Sequence, residues 1–384
     1  MCEVLDTAAD LTDCDLIVDA LLGTGLDREV QGEYLEWIER MNESDSPVIA
    51  VDIPSGLNAD TGMPMTEAVR ADLTVSFIGQ KRGLHTGMAA DYVGERVFDT
   101  LAAPDAVYDA IPPDATLLHE SQLAHVLPPR RASTHKGRLG HVLVAGSDFN
   151  LPGAVLLAAK AALMTGSGLV SVATRRDHSL AMAAALPEAM WANGEDFDRL
   201  DQLLKRADVV ALGPGLGDSE WSLKLWHRLA GCELPIVLDA DGLNHLTRAP
   251  RQCRDWVLTP HPGEAARLLK CSVAEIQQDR FAAVRALAEQ YCAIVVLKGS
   301  GSLIASPAGD VRVCPYGNPA MATAGMGDAL TGIIASLLGQ GQDAFEAAWV
   351  GVLLHALAGD CAAQNRRQIL TSELIDALPE VLPE

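Results

Sequence analysis

The feature of this sequence that most constrains its fold is a series of short apolar runs, each followed at once by a loop rich in glycine or polar residues. Six such loops are VAGSDFNLPGA, LGPGLG, LDADGLN, LTPHPGE, LKGSGS and NPAMATAGMGD. Apolar runs of this length, alternating with helical patterns, are typical of parallel strands in an α/β protein. Because the carboxyl ends of parallel strands meet at one edge of a sheet, these loops should converge on one crevice.

The order of the predicted elements divides the chain into two units. Residues 1–112 contain the strand patterns DLIVDALLG, SPVIAVDIPSG, ADLTVSFIG and GERVFDT and the helix pattern EYLEWIERM, which predict a partial Rossmann-like α/β domain. Residues 113–384 predict a mostly parallel sheet with helices on both faces, including a long helix at about 272–291. The Pro-containing stretch 110–140 is interpreted as a linker between them.

Composition and charge restrict the possible partners. The formal net charge of -22 argues against nucleic acid and anionic membrane surfaces. No window reaches the roughly 18 uninterrupted apolar residues of a membrane helix, and the start MCEVLDTAADLTDCD lacks the features of a signal peptide. The 8 cysteines contain no C-x-x-C pair, as expected in a reducing compartment. The sequence therefore predicts a cytoplasmic protein with small-molecule partners.

The stretch GNPAMATAGMGDALTG contains the most informative acid, Asp328. Gly325 and Gly327 come just before a predicted helix, where backbone amides attract phosphate oxygens. A carboxylate at this point would repel a phosphate, so we predict that Asp328 is a catalytic base that takes the proton from a substrate hydroxyl during phosphoryl transfer. The alternative is a carboxylate that only complements the helix dipole, an effect of about 0.3–1 kcal/mol.

The other loops admit a functional and a structural interpretation each. LKGSGS, residues 297–302, offers a lysine, two glycines and two hydroxyls to a nucleotide phosphate, or forms an ordinary hairpin turn. His261 lies at a strand-to-helix turn and is either functional or a turn residue. Asp239, Asp241 and Asn244 could cap a helix or hold Mg²⁺ through water. GPGLG permits a flat ligand to approach the backbone closely and is also a plain turn.

In this order along the chain, the motifs HKGRLGHVLVAGS, PGA, GPGLG, LDADGLN, TPHPGE, LKGSGS and AGMGD resemble those of the ADP-dependent NAD(P)H-hydrate dehydratases of the ribokinase-like superfamily. The resemblance implies that ADP, with Mg²⁺, is used to dehydrate the S epimer of NADHX or NADPHX, the hydrated forms of the reduced cofactors. It implies phosphorylation of the ring hydroxyl followed by elimination of phosphate, with Asp328 as the base. The positions it implies for the substrate are Ala154, Gly215, His261 and Asp328, and those for the AMP part of the nucleotide are Lys298, Gly299, Ser300, Gly301, Ser302 and Gly327.

Earlier in the chain, DLIVDALLGTGLDREVQG, AVDIPSGLNADTG and ADLTVSFIGQKRGLHTG are similar to the NAD(P)H-hydrate epimerase domain that is often fused ahead of the dehydratase. The resemblance implies a bifunctional repair protein. It implies a potassium site at Asp19 and Ser55 and substrate contacts at Asp52. It also implies a substrate loop formed by Gly23, Thr24, Gly25, Leu26, Asp27, Arg28 and Glu29; without the resemblance, GTGLDRE is interpreted as a plain turn between a strand and a helix.

Compared with that epimerase domain, the chain begins about halfway, without the early strand and the loop that supplies a further potassium ligand. Half a sheet would leave an unpaired edge and an uncovered apolar face. We therefore expect the epimerase domain to be truncated and its activity to be lost or crippled, unless another chain completes it. The resemblance also implies a homo-oligomer, a tetramer or larger.

Two other functions are compatible with the same motifs. The first is an ATP-dependent kinase of a small alcohol, such as a vitamin precursor, since one fold can host several related reactions. The second is a nucleotide-binding or interaction protein without catalytic activity. The combination of Asp328, Lys298 and His261 in their loops argues against the second function.

Overall fold

The computed structural model describes residue 11, residues 14–149 and residues 151–383. Contacts within the chain divide it between Asp114 and Ala115 into two units, here called the N-terminal unit and the C-terminal unit. Each unit has its own sheet and its own buried cores, so each is described by itself.

The N-terminal unit contains a four-stranded parallel sheet in the order β1-β2-β3-β4. Its elements are β1 (Ile17–Asp19), α1 (Glu33–Glu43), β2 (Val48–Val51), β3 (Leu73–Phe77), β4 (Glu95–Asp99) and α2 (Asp105–Ala110). Helix α1 packs on one face of the sheet, where Ile38 and Met41 join a buried cluster with Ile17 and Val48. The strands and α1 lie where their sequence patterns predict them.

The opposite face of this sheet keeps an apolar surface. Val18, Val51 and Val97 lie on it and are 59%, 38% and 41% exposed. The register of the strands places them on one side, because Val51 pairs with Val75 and Val75 pairs with Val97. The three valines therefore form an exposed apolar patch in the described part of the N-terminal unit.

The C-terminal unit is built on a ten-stranded sheet in the order β5-β14-β13-β12-β11-β10-β9-β6-β7-β8. All neighbouring pairs are parallel except β12–β13 and β13–β14. The strands are β5 (Thr116–Leu117), β6 (His141–Ala145), β7 (Leu169–Thr174), β8 (Met190–Asn193), β9 (Val209–Leu212), β10 (Ile236–Leu238), β11 (Trp256–Leu258), β12 (Ile294–Leu297), β13 (Ser302–Ala305) and β14 (Val311–Cys314). The predicted mostly parallel sheet is confirmed.

Helices cover both faces of this sheet. They are α3 (Leu123–Val126), α4 (Gly153–Thr165), α5 (Ser179–Ala185), α6 (Phe197–Leu204), α7 (Glu220–Ala230), α8 (Asp241–Arg248), α9 (Pro262–Leu269), α10 (Val273–Gln278), α11 (Arg280–Tyr291), α12 (Met326–Gly339), α13 (Ala344–Ala363) and α14 (Thr371–Val381). Val142 and Val144 of β6 belong to the core under α4 and α12, whereas Leu143 and Ala145 belong to the core under α7 and α11. Burial on both faces explains why these strands are continuous apolar runs.

Helix α13 is long and apolar enough to span a membrane, with a mean hydropathy of 1.2 over its most apolar window. It lies mostly inside the C-terminal unit, and 61% of that window is buried. Leu353 and Leu354 at its middle are fully buried against the sheet and the neighbouring helices. Its composition is explained by burial in the protein core.

Two predictions about elements are wrong in detail. The helix at about 272–291 consists of two helices, because Asp279 adopts φ -144° and ψ 88° and its carboxylate accepts a hydrogen bond of 2.8 Å from the amide of Ala282 at the start of α11. The stretch 110–140 is not a linker throughout. Its strand β5 joins the sheet beside β14, with the peptide of Leu118 also bonded to Val313.

Candidate active site

The loops singled out in the sequence lie at the carboxyl edge of the large sheet, as expected from the parallel strands. Asp239 follows directly on β10, and Lys298 follows directly on β12. Asp328 lies in the first turn of α12. The other predicted positions are Ala154 in the first turn of α4, Gly215 in the loop after β9, His261 before α9, and residues 299–302 between β12 and β13.

The centre of the site is an ion pair between Lys298 and Asp239. The Nζ of Lys298 donates to Oδ1 of Asp239 at 2.6 Å, and the carboxylate is 2% exposed. The hydroxyl of Thr331 on α12 donates to Oδ2 of the same carboxylate at 3.1 Å. Burial raises the pKa of Asp239, but the charge and hydrogen bond of Lys298 outweigh burial and lower it overall. Asp239 therefore joins β10, β12 and α12 at one point.

Glu264 and His261 form the next part of the site, at the start of α9. The side chain of His261 accepts a hydrogen bond of 2.9 Å at Nδ1 from the amide of Gly263, and Glu264 accepts one of 2.8 Å from the amide of His261. With Nδ1 an acceptor, the ring proton lies on Nε2, which is 3.4 Å from Oε1 of Glu264. Burial and the nearby Lys298 lower the pKa of His261. His261 therefore presents a neutral imidazole.

The electrostatic surroundings of Asp328 give it the properties of a base near neutral pH. Burial, followed by the charge of Asp239, raises its pKa from 3.8 to about 7, against a lowering effect of Lys298. The charges of Asp241 and Glu264 make smaller contributions to the same upward shift of the pKa. A carboxyl group with a pKa near the working pH is suited to general base catalysis.

The first turn of α12 forms a backbone pocket beside this carboxylate. Gly325 precedes the helix with φ 93°, a conformation that side-chain-bearing residues rarely adopt. A Cβ added at Gly327 would lie 3.0 Å from Nζ of Lys298 and 3.1 Å from Oδ2 of Asp239. The glycine therefore leaves the amides of the turn open beside a lysine, an arrangement that suits a phosphate group.

A buried histidine supports this turn from α13. The Nε2 of His355 lies 3.0 Å from the carbonyl oxygen of Met326. Burial lowers the pKa of His355 to about 4, so the ring is neutral and donates its Nε2 proton to that carbonyl. The sequence analysis did not identify His355, because an isolated histidine within an apolar helix shows no pattern.

The loop between β12 and β13 is closed by its own hydroxyl. The Oγ of Ser302 donates to the carbonyl of Gly299 at 3.0 Å and accepts from the amide of Gly299 at 3.3 Å. The amide of Lys298 donates to the carbonyl of Pro260 at 2.9 Å, which ties the loop to the end of β11. Gly299 and Ser300 are the exposed part of the loop.

The GPGLG loop is held by α8. The amide of Gly217 donates to Oδ2 of Asp241 at 2.8 Å, and its carbonyl accepts from Nε2 of His245 at 3.0 Å. Asp241 and His245 are four residues apart and share one face of the helix. A Cβ added at Gly215 in this loop would lie 3.2 Å from the Cβ of Ala154, so the two positions predicted to contact the substrate are neighbours.

Potential ligands for Mg²⁺ are limited at this site. Within the described residues, no group of three His, Cys, Asp or Glu side chains is arranged to hold a metal ion. Asp239 already accepts hydrogen bonds from Lys298 and Thr331. Asp241 accepts hydrogen bonds from the backbone amide of Gly217 and, at 3.2 Å, from the side-chain amide of Asn244. Mg²⁺ at such a site would depend mainly on nucleotide phosphates and water, as is usual for this ion.

The N-terminal unit contains a second group of predicted residues. The amide and hydroxyl of Ser55 donate to the two carboxylate oxygens of Asp19 at 2.7 and 2.6 Å. Burial raises the pKa of Asp19. A cavity of about 800 Å³ is lined by the predicted substrate loop that follows Asp19 in the sequence. The lining residues of this loop are Gly23, Gly25, Leu26, Asp27, Arg28 and Glu29, without Thr24.

Asp52 is held in a strained conformation directly after β2. Its φ is 71°, and its Oδ1 accepts a hydrogen bond of 3.0 Å from the amide of Phe77. Residues with positive φ other than glycine cost about 1 kcal/mol or more and are common at functional sites. The ammonium of Lys81 forms an ion pair with the same carboxylate and donates to the carbonyl of Phe77 at 3.0 Å. Lys81 was not identified in the sequence, although its place shortly after β3 was available as a signal.

Comparisons with known proteins agree with the two units. Residues 141–380 match the family model for NAD(P)H-hydrate dehydratase, and residues 2–83 match that for the YjeF-related protein N-terminus. The bifunctional NAD(P)H-hydrate repair enzyme of Coxiella burnetii is 46% identical over 366 residues, which cover 95% of this chain and 75% of that protein. The chain thus spans about three quarters of the length of this relative.

Solved structures resemble the C-terminal unit. A ribokinase-like superfamily protein of Enterococcus faecalis has a TM-score of 0.66 and 28% identity, covering 71% of this chain and 96% of its own. The ADP/ATP-dependent NAD(P)H-hydrate dehydratase of Bacillus subtilis, co-crystallised with ATP and Mg²⁺, has a TM-score of 0.62 and 31% identity, covering 70% and 98%. The predicted ribokinase-like fold is confirmed.

The comparisons do not support the expected loss of epimerase activity through truncation. The family model of the N-terminal domain matches residues 2–83, and the Coxiella burnetii relative aligns over 95% of this chain. Both a dehydratase domain and an epimerase domain are present. The chain belongs to the family of bifunctional NAD(P)H-hydrate repair enzymes.

Proposed function

We propose that the C-terminal unit uses ADP to dehydrate the S epimers of NADHX and NADPHX to NADH and NADPH. The observation that carries the proposal is the position of Asp328, a partly buried carboxyl with its pKa raised to about 7, in the first turn of α12 beside Lys298. A carboxylate beside a phosphate-binding turn is explained if it acts as the general base that removes the proton of a hydroxyl attacking a phosphoryl group.

In the proposed reaction, Asp328 takes the proton of the ring hydroxyl as its oxygen attacks the terminal phosphorus of ADP, and AMP leaves. The ring nitrogen then donates its lone pair and expels phosphate, a far better leaving group than hydroxide. Loss of a proton from the neighbouring ring carbon restores the reduced nicotinamide. The balance is one ADP converted to AMP and phosphate for each hydrate converted to reduced cofactor and a proton equivalent.

The same geometry supports roles for the other predicted residues. The first turn of α12 at Gly327 and the loop Lys298–Ser302 would bind the nucleotide phosphates, with the charge of Lys298 beside them. When bound, Mg²⁺ would neutralise developing phosphate charge. The neighbouring Gly215 and Ala154, together with the neutral His261, would contact the hydrated nicotinamide. Of the residues predicted for the C-terminal unit, Asp328 is the one that would transfer a proton.

For the N-terminal unit we infer epimerisation of the R and S hydrates. Asp52 and Lys81 are suited to proton transfer, because the ion pair places a donor and an acceptor together at the end of two strands. The cavity lined by the loop from Gly23 to Glu29 would take the substrate. Asp19 and Ser55 would support a potassium ion. Cytoplasmic location and a homo-oligomeric state remain predictions.

An absorbance assay tests the main proposal. Chemically hydrated NADH is mixed with the chain, Mg²⁺ and either ADP or ATP, and the near-ultraviolet absorbance of NADH is followed together with the nucleotide and phosphate products. We expect NADH, AMP and phosphate in the ADP reaction. A stable phosphorylated hydrate without new NADH would show phosphoryl transfer without elimination, and no nucleotide turnover with the hydrate would reject the dehydratase. ATP turnover that appears only when a small alcohol replaces the hydrate would favour the small-alcohol kinase.

A further inference from the structure

Next to the proposed nucleotide loop, Lys298–Ser302, lies a buried arginine that the motifs do not include. Arg280 begins α11 and is 1% exposed. Its Nη2 donates to the carbonyl oxygens of Leu297 at 3.2 Å and Lys298 at 3.3 Å. Its Nη1 donates to Oε1 of Gln277 at 2.9 Å. Burial lowers the pKa of Arg280 to about 10, so the guanidinium stays charged at neutral pH.

The backbone of the loop lies directly against this guanidinium. Gly299 has φ +141°, and a Cβ added there would lie 3.1 Å from both Nη1 and Nη2 of Arg280. Because the peptide bond is planar and trans, the carbonyl of Lys298 and the amide of Gly299 point in opposite directions. With the carbonyl held by Arg280, the amide points to the other side, toward Oγ of Ser302 at 3.3 Å.

We propose that Arg280 is a positioning residue for nucleotide binding: it fixes the peptides of the Lys298–Ser302 loop and places a buried positive charge behind them. The inference rests on the proposed binding of ADP at this loop. The planar guanidinium donates to three acceptors in fixed directions, which a lysine ammonium on a flexible stem does not reproduce. The charge lies one backbone layer from the site of the phosphates, in surroundings of low dielectric constant, where it attracts them more strongly than through water.

Steady-state kinetics of two variants test the proposal. Arg280→Lys keeps the charge and loses the fixed hydrogen bonds, and we expect it to raise KM for ADP about tenfold. Gln277→Leu keeps the arginine but removes the acceptor that orients Nη1, and we expect a rise of about threefold. In both variants, KM for NADHX should stay within about twofold, because neither substitution removes a hydrogen bond from the loops proposed to contact the hydrate.

Arg312→Lys is the matched control. Arg312 is a partly buried arginine of the same unit, but it lies on β14 and stacks on Trp349 at 4.4 Å. The control should show the same KM for ADP as the unmodified chain, even if its melting temperature falls. It therefore separates a specific effect on the loop from a general loss of stability.

Calorimetric titration with ADP and Mg²⁺, without any hydrate, gives a measurement independent of turnover. The Kd for ADP should rise in Arg280→Lys and in Gln277→Leu by the same factors as KM. Unchanged Kd and KM for ADP in these variants would overturn the inference, as would a fall in kcat alone. If Arg280→Lys does not fold, the ADP affinity of Gln277→Leu decides. Failure of the unmodified chain to bind ADP would reject the proposed function itself and the inference with it.

Discussion

Asp328 is partly buried beside other acidic side chains, and as a result its carboxyl group changes its protonation state near neutral pH. Asp239, Asp241 and Glu264 all disfavour its ionisation, and Lys298 only partly compensates. Asp239 contributes the largest of these charge effects, and it is fixed in place by Lys298 and Thr331. The site thus keeps one carboxylate ionised and hydrogen-bonded and leaves its neighbour with a raised pKa, the pattern by which enzymes assign different roles to two acids.

The pH dependence of the dehydration follows from this pKa. Since kcat/KM reports groups of the free enzyme, its acid limb should have a midpoint near the pKa of Asp328, about 7. Below it, kcat/KM should fall about tenfold for each pH unit, because only ionised Asp328 accepts the proton. Initial rates with ADP across the neutral and mildly acidic range measure this. An acid limb close to the ordinary carboxyl pKa would show that the surroundings of Asp328 do not control the reaction.

Site residues that lie within a recognisable sequence motif could be predicted. Residues outside the motifs that contact the site only in the folded chain could not. Asp328 and Lys298 stand in short glycine-rich patterns, which made both residues candidates in the sequence, and the structure places them in the same site. Thr331 and Arg280 reach the same site only because α12 and α11 pack beside β10 and β12. In sequence, Arg280 is one polar residue near the start of a helix, and nothing marks it as 1% exposed.

Helix α8 is the element that fixes the loop proposed to contact the hydrate. His245 stacks on Trp226 at 5.7 Å and donates to the carbonyl of Gly217. His245→Phe should keep the aromatic contact and lose the hydrogen bond, which would raise KM for NADHX by about threefold to tenfold. KM for ADP serves as the internal control and should not change. An equal rise in KM for NADHX and KM for ADP, or no change in either, would contradict the role of α8.

Helices α4 and α12 approach each other so closely that only glycine fits at one position. A Cβ added at Gly332 would lie 2.0 Å from the carbonyl oxygen of Ala158. Gly332→Ala should therefore separate the helices and lower the free energy of unfolding by about 1–3 kcal/mol or more. Gly153→Ala, where nothing lies within 4 Å of the added Cβ, is the control. Chemical denaturation of both variants measures the difference, and equal stabilities would refute the close contact.

Strand patterns predicted most of the sheet, and the exceptions have physical causes. Buried parallel strands such as β6 are apolar on both faces, so their runs were clear. Strand β5 has only two residues, and its place beside β14 depends on pairing with a distant part of the chain. The break between α10 and α11 depends on the backbone of Asp279, which a helical pattern does not reveal.

The two proposed sites lie in different units, and this separation predicts how a mixture of epimers is consumed. Lys81→Met removes the ammonium paired with Asp52 in the N-terminal unit and leaves the C-terminal unit unaltered. With a mixture of R and S hydrates, the unmodified chain should convert both epimers, while the variant should convert rapidly only the S fraction. Chromatography of the remaining hydrate measures this. Equal consumption of the R epimer by both proteins would exclude Lys81 from epimerisation.

The central claim for the whole molecule is that Asp328 is the base of an ADP-dependent dehydration, and Asp328→Asn tests it most directly. The variant should fold. Because the pKa of Asp328 is raised from 3.8 to about 7, ionising this carboxyl lowers the stability of the fold as pH rises between these two values. At a pH near 8, the variant should therefore melt no lower than the unmodified chain. The decisive measurement is ADP-dependent formation of NADH from the S hydrate, made beside calorimetric binding of ADP. We predict that binding is retained and turnover falls by at least about a hundredfold. Turnover close to that of the unmodified chain would contradict the account.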